Sequence, residues 1–474
     1  MTRERLVVVG GDAAGMSAAS QARKRRGVDD LEIVAFERGR ATSYSACGIP
    51  YWIGGAVGSE AELIARTPEQ HRANGIDVRM LTEVVAIDLA ARTVTARHVR
   101  SGVESRHEWD QLVYATGSVP MRPRAPGFDA PGVHGVQVLD DGVALLAELD
   151  GGLPDGRRVE RVVVVGGGYI GLELAEACQV RGLDVTVVDR SATPVGTFDP
   201  DIGEFIADAV RGMGIELVMG QAAESVETGP DGRACAVVTT DGRRLPADLV
   251  VLGLGVRPNV ALAVGAGIPL GPSGGIAVDR RMRTQVEGVW AAGDCVESRH
   301  RLSGQAVVVA LGTHANKQGR VAGINLGGGY ATFPGVIGTA VTKVCDLEVA
   351  RTGLSMAEAD AAGYRYVTAS VDSTTRAGYF PGAQPIRVKL LAEKRSGRLL
   401  GGQIVGREGA AKRIDVLATA IWNEMTVDEV LSLDLSYAPP FSPVWDPVLI
   451  AARKAFEAVE ADVARPTTAA GARA

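Results

Sequence analysis

The amino-acid sequence predicts an α/β fold with two separate βαβ units, followed by a third domain of different architecture. Two glycine-rich turns, each set between an apolar strand and a small-residue helix, carry the first part of that prediction. A change to alternating apolar and polar residues after position 330 carries the second.

The first unit opens with the apolar run 6–9, turns through Gly10 and Gly15, and enters an alanine-rich helix. Its next strand, over 31–37, ends in Glu37, where a carboxylate is placed to bond ribose hydroxyls. In the second unit the run 162–165 leads into Gly166, Gly168 and Gly171, then Tyr169 and Glu173 on the helix, and the following strand closes on Asp189. Such glycines serve a tight turn, close approach of the main chain to a pyrophosphate, and close helix-on-strand packing. The pyrophosphate rests on free N–H groups at the helix N-terminus. Two units of this kind predict two bound nucleotides. The second is a complete GxGxxG. The first has Asp12 at the middle glycine position, where a carboxylate beside a pyrophosphate is unfavourable unless it points away.

Between and after these units, 113–120 reads as a strand ending in a crossover that contains Thr116 and Gly117. A strand over 250–257 carries Gly255, and 288–294 closes on Gly293 and Asp294. These punctuation marks predict a first nucleotide domain over 1–115 that resumes over 246–328, with the second domain inserted at 116–245. A third domain follows over 329–460. Alternation at 386–392 and 399–405 predicts an antiparallel sheet, with helices over 412–423 and 427–432. The small, polar stretch 461–474 is expected to be a disordered tail.

With 474 residues the chain is too long for one hydrophobic core. Fifty Lys and Arg stand against 56 Asp and Glu, so no basic footprint for nucleic acid or an anionic membrane exists. No stretch is apolar enough to span a bilayer, and no signal peptide precedes the first strand, so a cytoplasmic protein is expected. The five cysteines are scattered, odd in number and never spaced as CxxC, which argues against a disulfide framework or a zinc site; no metal is expected.

One of those cysteines stands apart. Cys47 follows Ser43 by four positions and precedes Gly48 and Pro50, shortly after the first nucleotide unit. No second cysteine lies near it in sequence, and the position five residues upstream is Thr42. Any redox chemistry here runs through one sulfur, as a mixed disulfide or a sulfenic acid. Cys178, Cys235, Cys295 and Cys345 lie in apolar or turn contexts and are assigned no chemistry.

Taken together, these motifs resemble the pyridine nucleotide–disulfide oxidoreductase superfamily over nearly the whole chain. The single-cysteine pattern of Ser43 and Cys47 is similar to the branch that holds coenzyme A–disulfide reductase, NADH oxidase and NADH peroxidase. The segments 379–382, 406–415 and 437–447 are similar to those of coenzyme A–disulfide reductases in particular. The resemblance implies FAD on the first unit (Gly10, Gly15, Glu37, Ser43, Thr116, Gly117, Gly293, Asp294). It implies NADH or NADPH on the second (Gly166, Gly168, Tyr169, Gly171, Glu173, Asp189, Gly255). Hydride would pass to FAD and electrons on to Cys47, with Tyr379 and Tyr437 supplying protons, Tyr437 from the partner subunit of a homodimer with shared sites. Arg23, Ser43, Lys412 and Arg413 are candidates for binding a coenzyme A disulfide or another small-thiol disulfide or persulfide. Asp189 favours NADH, although Arg190 beside it offsets part of the repulsion of a 2′-phosphate. Oxidase members carry a histidine in the first glycine loop. Here Ala13 fills that place, which favours a disulfide over dioxygen. NADH oxidase and a flavin-containing redox sensor are the alternative readings.

Overall fold

A computed structural model describes residues 3–463. The first parallel sheet has five strands in the order Val289–Ala291, Gln111–Tyr114, Glu4–Val9, Leu31–Phe36 and Asp77–Arg79. Its central strand pairs with both neighbours, Val7 lying opposite Val34 and Leu112. Leu6 to Val9 are buried from both sides, which is why the strand reads as an unbroken apolar run. Leu6 and Val8 pack towards the helices Ala13–Arg23 and Gly312–Leu326. Val7 and Val9 pack towards an antiparallel sheet of Thr82–Asp88, Thr93–His98 and Glu104–Glu108, which the sequence reading did not anticipate.

The second parallel sheet runs Glu216–Met219, Asp184–Asp189, Arg161–Val165, Leu249–Leu252 and Val133–Gly135. Here the expected boundary at 245/246 is corrected. Leu249–Leu252 pairs in parallel with Arg161–Val165, so it belongs to the second unit and not to the resumed first one. The chain returns a few residues later, where Val256–Pro258 pairs antiparallel with the outgoing strand Ser118–Pro120. Both crossings therefore lie side by side. Strand order is a long-range property, and the apolar run 249–252 fits either sheet equally well until its partner is known.

A five-stranded antiparallel sheet forms the third domain, ordered Ala340–Val344, Leu347–Gly353, Leu399–Gly406, Pro385–Glu393 and Tyr366–Thr374. The expected alternation fails in Leu399–Gly406, where all eight residues are buried. Leu400 and Ile404 pack into a core with the helix Ile414–Trp422 and the long helix Pro447–Val463. From the same strand the Gln403 side-chain oxygen accepts the N–H of Asp199, in the second nucleotide unit. A buried charge cluster seals this junction. Lys389 meets Asp199 at 3.0 Å and Asp201 at 2.6 Å, and the Lys389 and Asp199 side chains are 5% and 1% exposed. The last helix continues to Val463, past the expected start of the tail at 461, while 464–474 lie outside the described residues. No described helix is long and apolar enough to cross a membrane.

Candidate active site

The two glycine turns have the same build. Gly10 and Gly166 take φ of +106° and +109°, and a Cβ on either would lie 2.1 Å from the Ala115 oxygen or 2.5 Å from the Gly253 oxygen. Only glycine serves there. The acid that ends the second strand of each unit turns back onto its own glycine loop. Glu37 Oε2 accepts the N–H of Gly11 at 2.8 Å, and Asp189 Oδ2 accepts that of Gly167 at 2.6 Å. Glu37 also takes the N–H of Gly39, and Asp189 that of Ser191.

Cys47 sits in a short 3-10 turn, Ala46–Gly48, that runs straight into the helix Ile49–Ile53. Its thiol is accessible. Residues from both nucleotide units act on it. Partial burial pushes its pKa up, and the charges of Glu173 and then Asp294 push the same way. No cation opposes them among the principal influences on the thiol, so the polypeptide by itself favours the thiol over the thiolate. Asp294 accepts a hydrogen bond from Ser118 at 3.1 Å, and burial raises its own pKa. Glu173 was expected only on the nicotinamide nucleotide. It accepts a hydrogen bond from Thr342 of the third domain at 2.6 Å and another from the Tyr51 hydroxyl. Burial, with Glu173, Glu176 and Cys47 in turn, raises Tyr51 to about 12. Tyr51 and Thr342 are site residues that the sequence reading left unassigned. Only the four-residue spacing of Cys47 and Tyr51, one helical turn, was available as a signal.

Ser43 holds φ of +52° without being glycine, a conformation that costs of order 1 kcal/mol or more and recurs at functional sites. Its hydroxyl meets His71 Nε2 at 2.9 Å, and burial lowers the pKa of that histidine. Thr116 donates to the carbonyl of Asn259 at 2.7 Å, while Gly117, at φ of +68°, accepts the Asn259 N–H at 3.0 Å. These bonds fasten the two crossing strands to each other beside Asp294. Gly293 donates its N–H to Gln318 at 2.8 Å. In the second unit Tyr169 opens its helix, reaches Thr197 through its hydroxyl at 3.4 Å and packs on Phe198. Gly255, at φ of +81°, follows the strand Leu249–Leu252 and accepts the N–H of Met121 at 2.9 Å.

Two of the candidate substrate-binding cations, Arg23 and Arg413, need correction. Arg23 spends its guanidinium on the carbonyls of Arg26, Leu31 and Gly75, closing the turn after the first helix, so no free fork is offered to a phosphate. Arg413 is likewise committed. It pairs with Asp446 at 3.0 Å and donates to the carbonyls of Gly409, Thr375 and Phe441, which pins the loop 437–446 to the third domain. Lys412 is exposed and paired with Asp415. Tyr379 and Tyr437 share a hydrogen bond and lie on the surface, 78% and 48% exposed, among the exposed side chains Phe441, Val444 and Trp445. They are brought together with each other, and no interaction joins them to Cys47 within the chain among the described residues.

The donor sets suit two nucleotides. Each unit offers a helix N-terminus behind its glycine turn and a carboxylate at the end of its second strand. At the second turn a Cβ on Gly168 would meet nothing within 4 Å, an open cradle for a pyrophosphate. FAD fits the first unit in all but one respect, the carboxylate of Asp12.

Comparison with known proteins agrees with this geometry. Residues 4–319 match the family described as pyridine nucleotide-disulphide oxidoreductase, and residues 339–447 match its dimerisation domain. A CoA-dependent NAD(P)H sulfur oxidoreductase of Pyrococcus furiosus is 39% identical over 96% of this chain and 99% of its own. An NADH oxidase of Methanocaldococcus jannaschii is 36% identical over the same shares. The solved structure of a NAD-dependent persulfide reductase from A. fulgidus superposes with a TM-score of 0.92 at 37% identity, covering 96% of this chain and 84% of that one. Two dinucleotide turns, a lone accessible cysteine between them and a dimerisation domain thus identify the chain as a member of the pyridine nucleotide-disulphide oxidoreductase family, an NAD(P)H-dependent flavoprotein oxidoreductase.

Proposed function

We propose that the protein reduces a coenzyme A disulfide, or a related low-molecular-weight disulfide or persulfide, with NAD(P)H through the single sulfur of Cys47. The observation that carries this reading is the position of Cys47, accessible and under the influence of Glu173 from one unit and Asp294 from the other. No other described cysteine forms a disulfide with it. Bound FAD supplies the two-electron link between hydride donor and sulfur.

The chain's own residues account for the rest. The Cys47 thiolate attacks one sulfur of the disulfide, forming Cys47–S–S–R and expelling RS⁻, which takes a proton to leave as RSH. The electron pair supplied by one NAD(P)H then cleaves the mixed disulfide, regenerating the Cys47 thiolate and releasing a second RSH, so one NAD(P)H and one proton convert RSSR to two thiols. Glu173, with Tyr51 and Thr342 bonded to it, keeps negative charge near the sulfur and holds the helix Ile49–Ile53 against the third domain. Tyr379 and Tyr437 are proposed as the proton donors, Tyr437 reaching Cys47 across the dimer. Their exposure on an apolar patch of the dimerisation domain supports that reading. Asp189, fixed by two main-chain N–H groups, favours NADH over NADPH. Ala13 offers no base for oxygen chemistry, which weighs against an oxidase despite the relative of that name.

Cys47→Ser is expected to abolish disulfide turnover while NAD(P)H still bleaches the flavin in stopped flow. Full turnover in that variant would remove Cys47 from the chemistry. Mass spectrometry of the intact, untreated protein names the thiol if an adduct is retained on Cys47. Mixed dimers of Cys47→Ser and Tyr437→Phe chains are expected to regain one intact site. No recovery after verified exchange would place Tyr437 outside the site of the other subunit.

A further inference from the structure

Asp12 is the N-cap of the helix Ala13–Arg23, yet its carboxylate makes no capping bond. Oδ1 accepts the N–H of Tyr44 at 3.3 Å instead, tying the glycine turn to the loop that carries Cys47. The N–H groups of Ala13 and Ser43 also act on it. One residue away, Gly11 is held by the carboxylate of Glu37. Two acids therefore flank the place where a pyrophosphate meets the helix.

The main-chain N–H groups of Tyr44, Ala13 and Ser43 favour the carboxylate, but no cation among the described residues joins them. From the strand Leu31–Phe36 comes Glu37, and from the cysteine loop comes the Tyr44 phenol, itself under the influence of Asp12, Glu37, Asp141 and Asp140. The helix Gly312–Leu326 meets the first helix through uncharged groups, Gly319 and Gly323 on its backbone and Asn316 on Ser17. Beside Ala14 the Gly293 turn brings Asp294, which is bonded to Ser118. No Lys, Arg or His among the described residues hydrogen-bonds or ion-pairs with Asp12. Burial first, and Glu37 second, raise its pKa to about 7. A pyrophosphate adds further negative charge at the same turn, and like charges at contact do not ionise together.

We propose that Asp12 holds FAD as the neutral carboxylic acid, so that the first turn takes up one proton together with the cofactor. The balance is FAD plus an Asp12 carboxylate plus H⁺ from solvent, giving the complex with an Asp12 carboxyl; no electron moves. The inference rests on the family's FAD dependence and goes beyond the choice of disulfide. Its sign follows from linkage. Below the pKa of the free protein the carboxyl is already protonated and affinity is constant. As pH rises through it, affinity falls by up to tenfold per pH unit, levelling above the still higher pKa of the complex.

The test is equilibrium release of FAD from the full-length holoprotein on dilution, read by flavin fluorescence from about pH 6 to about pH 9 at constant ionic strength. Wild type is expected to lose at least tenfold in FAD affinity across that range. Asp12→Asn keeps the shape and the Tyr44 contact without the charge, and is expected to flatten the profile and to bind FAD at least tenfold more tightly at the alkaline end. Asp12→Gly restores the motif residue and is expected to do the same, which covers the case in which the amide does not fold. A flat wild-type profile overturns the proposal. So does a slope that survives in either variant, because the proton then belongs to another group. Neither disulfide nor NAD(P)H is present, so failure here leaves the reading of Cys47 standing, and failure of that reading leaves this one.

Discussion

The two glycine turns share their backbone and differ at one of the three motif glycines. Gly10 and Gly166 have φ values 3° apart, and a Cβ on Gly15 or Gly171 would fall 2.0 or 1.8 Å from the oxygen of Gly10 or Gly166. Between them stand Asp12, at φ of −120°, and Gly168, at φ of −76°. Both angles are open to any residue, so backbone sterics do not ask for glycine in the middle of the motif. None of the described residues would come within 4 Å of a Cβ on Gly168 either. The first and last glycines of GxGxxG are there for the fold, and the middle one is there for the ligand. That is why an aspartate is tolerated at position 12 without disturbing the turn, and why its consequence falls on binding.

The largest expected effect breaks the comparison at its shared positions. Gly10→Ala forces a side chain into the Ala115 carbonyl at a φ that L-residues avoid, and is expected to yield protein without flavin. Gly166→Ala carries the same strain in the other unit, so the yellow colour should persist while flavin reduction by NAD(P)H drops at least a hundredfold, about 2.7 kcal/mol. Absorbance after purification and stopped-flow reduction separate the two. A flavin-replete Gly10→Ala protein would show that the turn relaxes.

A smaller effect sharpens the contrast at the middle position. Gly168→Asp carries the first turn's acid into the second, where its fold should be unaffected and KM for NADH should rise about tenfold, about 1.4 kcal/mol. Circular dichroism and steady-state kinetics check both halves of that statement. The smallest effect is at Cys47. Glu173→Gln removes the charge that, after burial, does most to raise the Cys47 pKa, so the thiol should ionise at lower pH. Alkylation by iodoacetamide near neutrality should accelerate several-fold, and an unchanged rate-versus-pH curve would show that burial alone sets the thiol.

What the sequence disclosed follows the same division. Gly10, Gly15, Gly166 and Gly171 were legible because their constraint is local: strand, turn and helix all lie within a dozen residues. Leu249–Leu252 was placed in the wrong sheet because its partner, Arg161–Val165, lies more than eighty positions away. Arg23 and Arg413 were read as candidates for binding the substrate, whereas the carbonyls that occupy them are brought together only by the folded chain. Glu173 was found by motif, but its bonds to Tyr51 and Thr342 join three separate segments and leave no spacing to read.

The junction of Lys389 with Asp199 and Asp201 has a mechanical consequence. Lys389 and Asp199 are both shielded from solvent while Asp201 is half exposed, so salt screens the buried pair little and parting it leaves unpaired buried groups at a cost of several kcal/mol. The nicotinamide unit is thereby welded to the third domain and not hung from the crossing strands alone. Heating should then melt the two as a single calorimetric peak, with Lys389→Met splitting the endotherm or leaving it single according to whether that weld is what makes them cooperate.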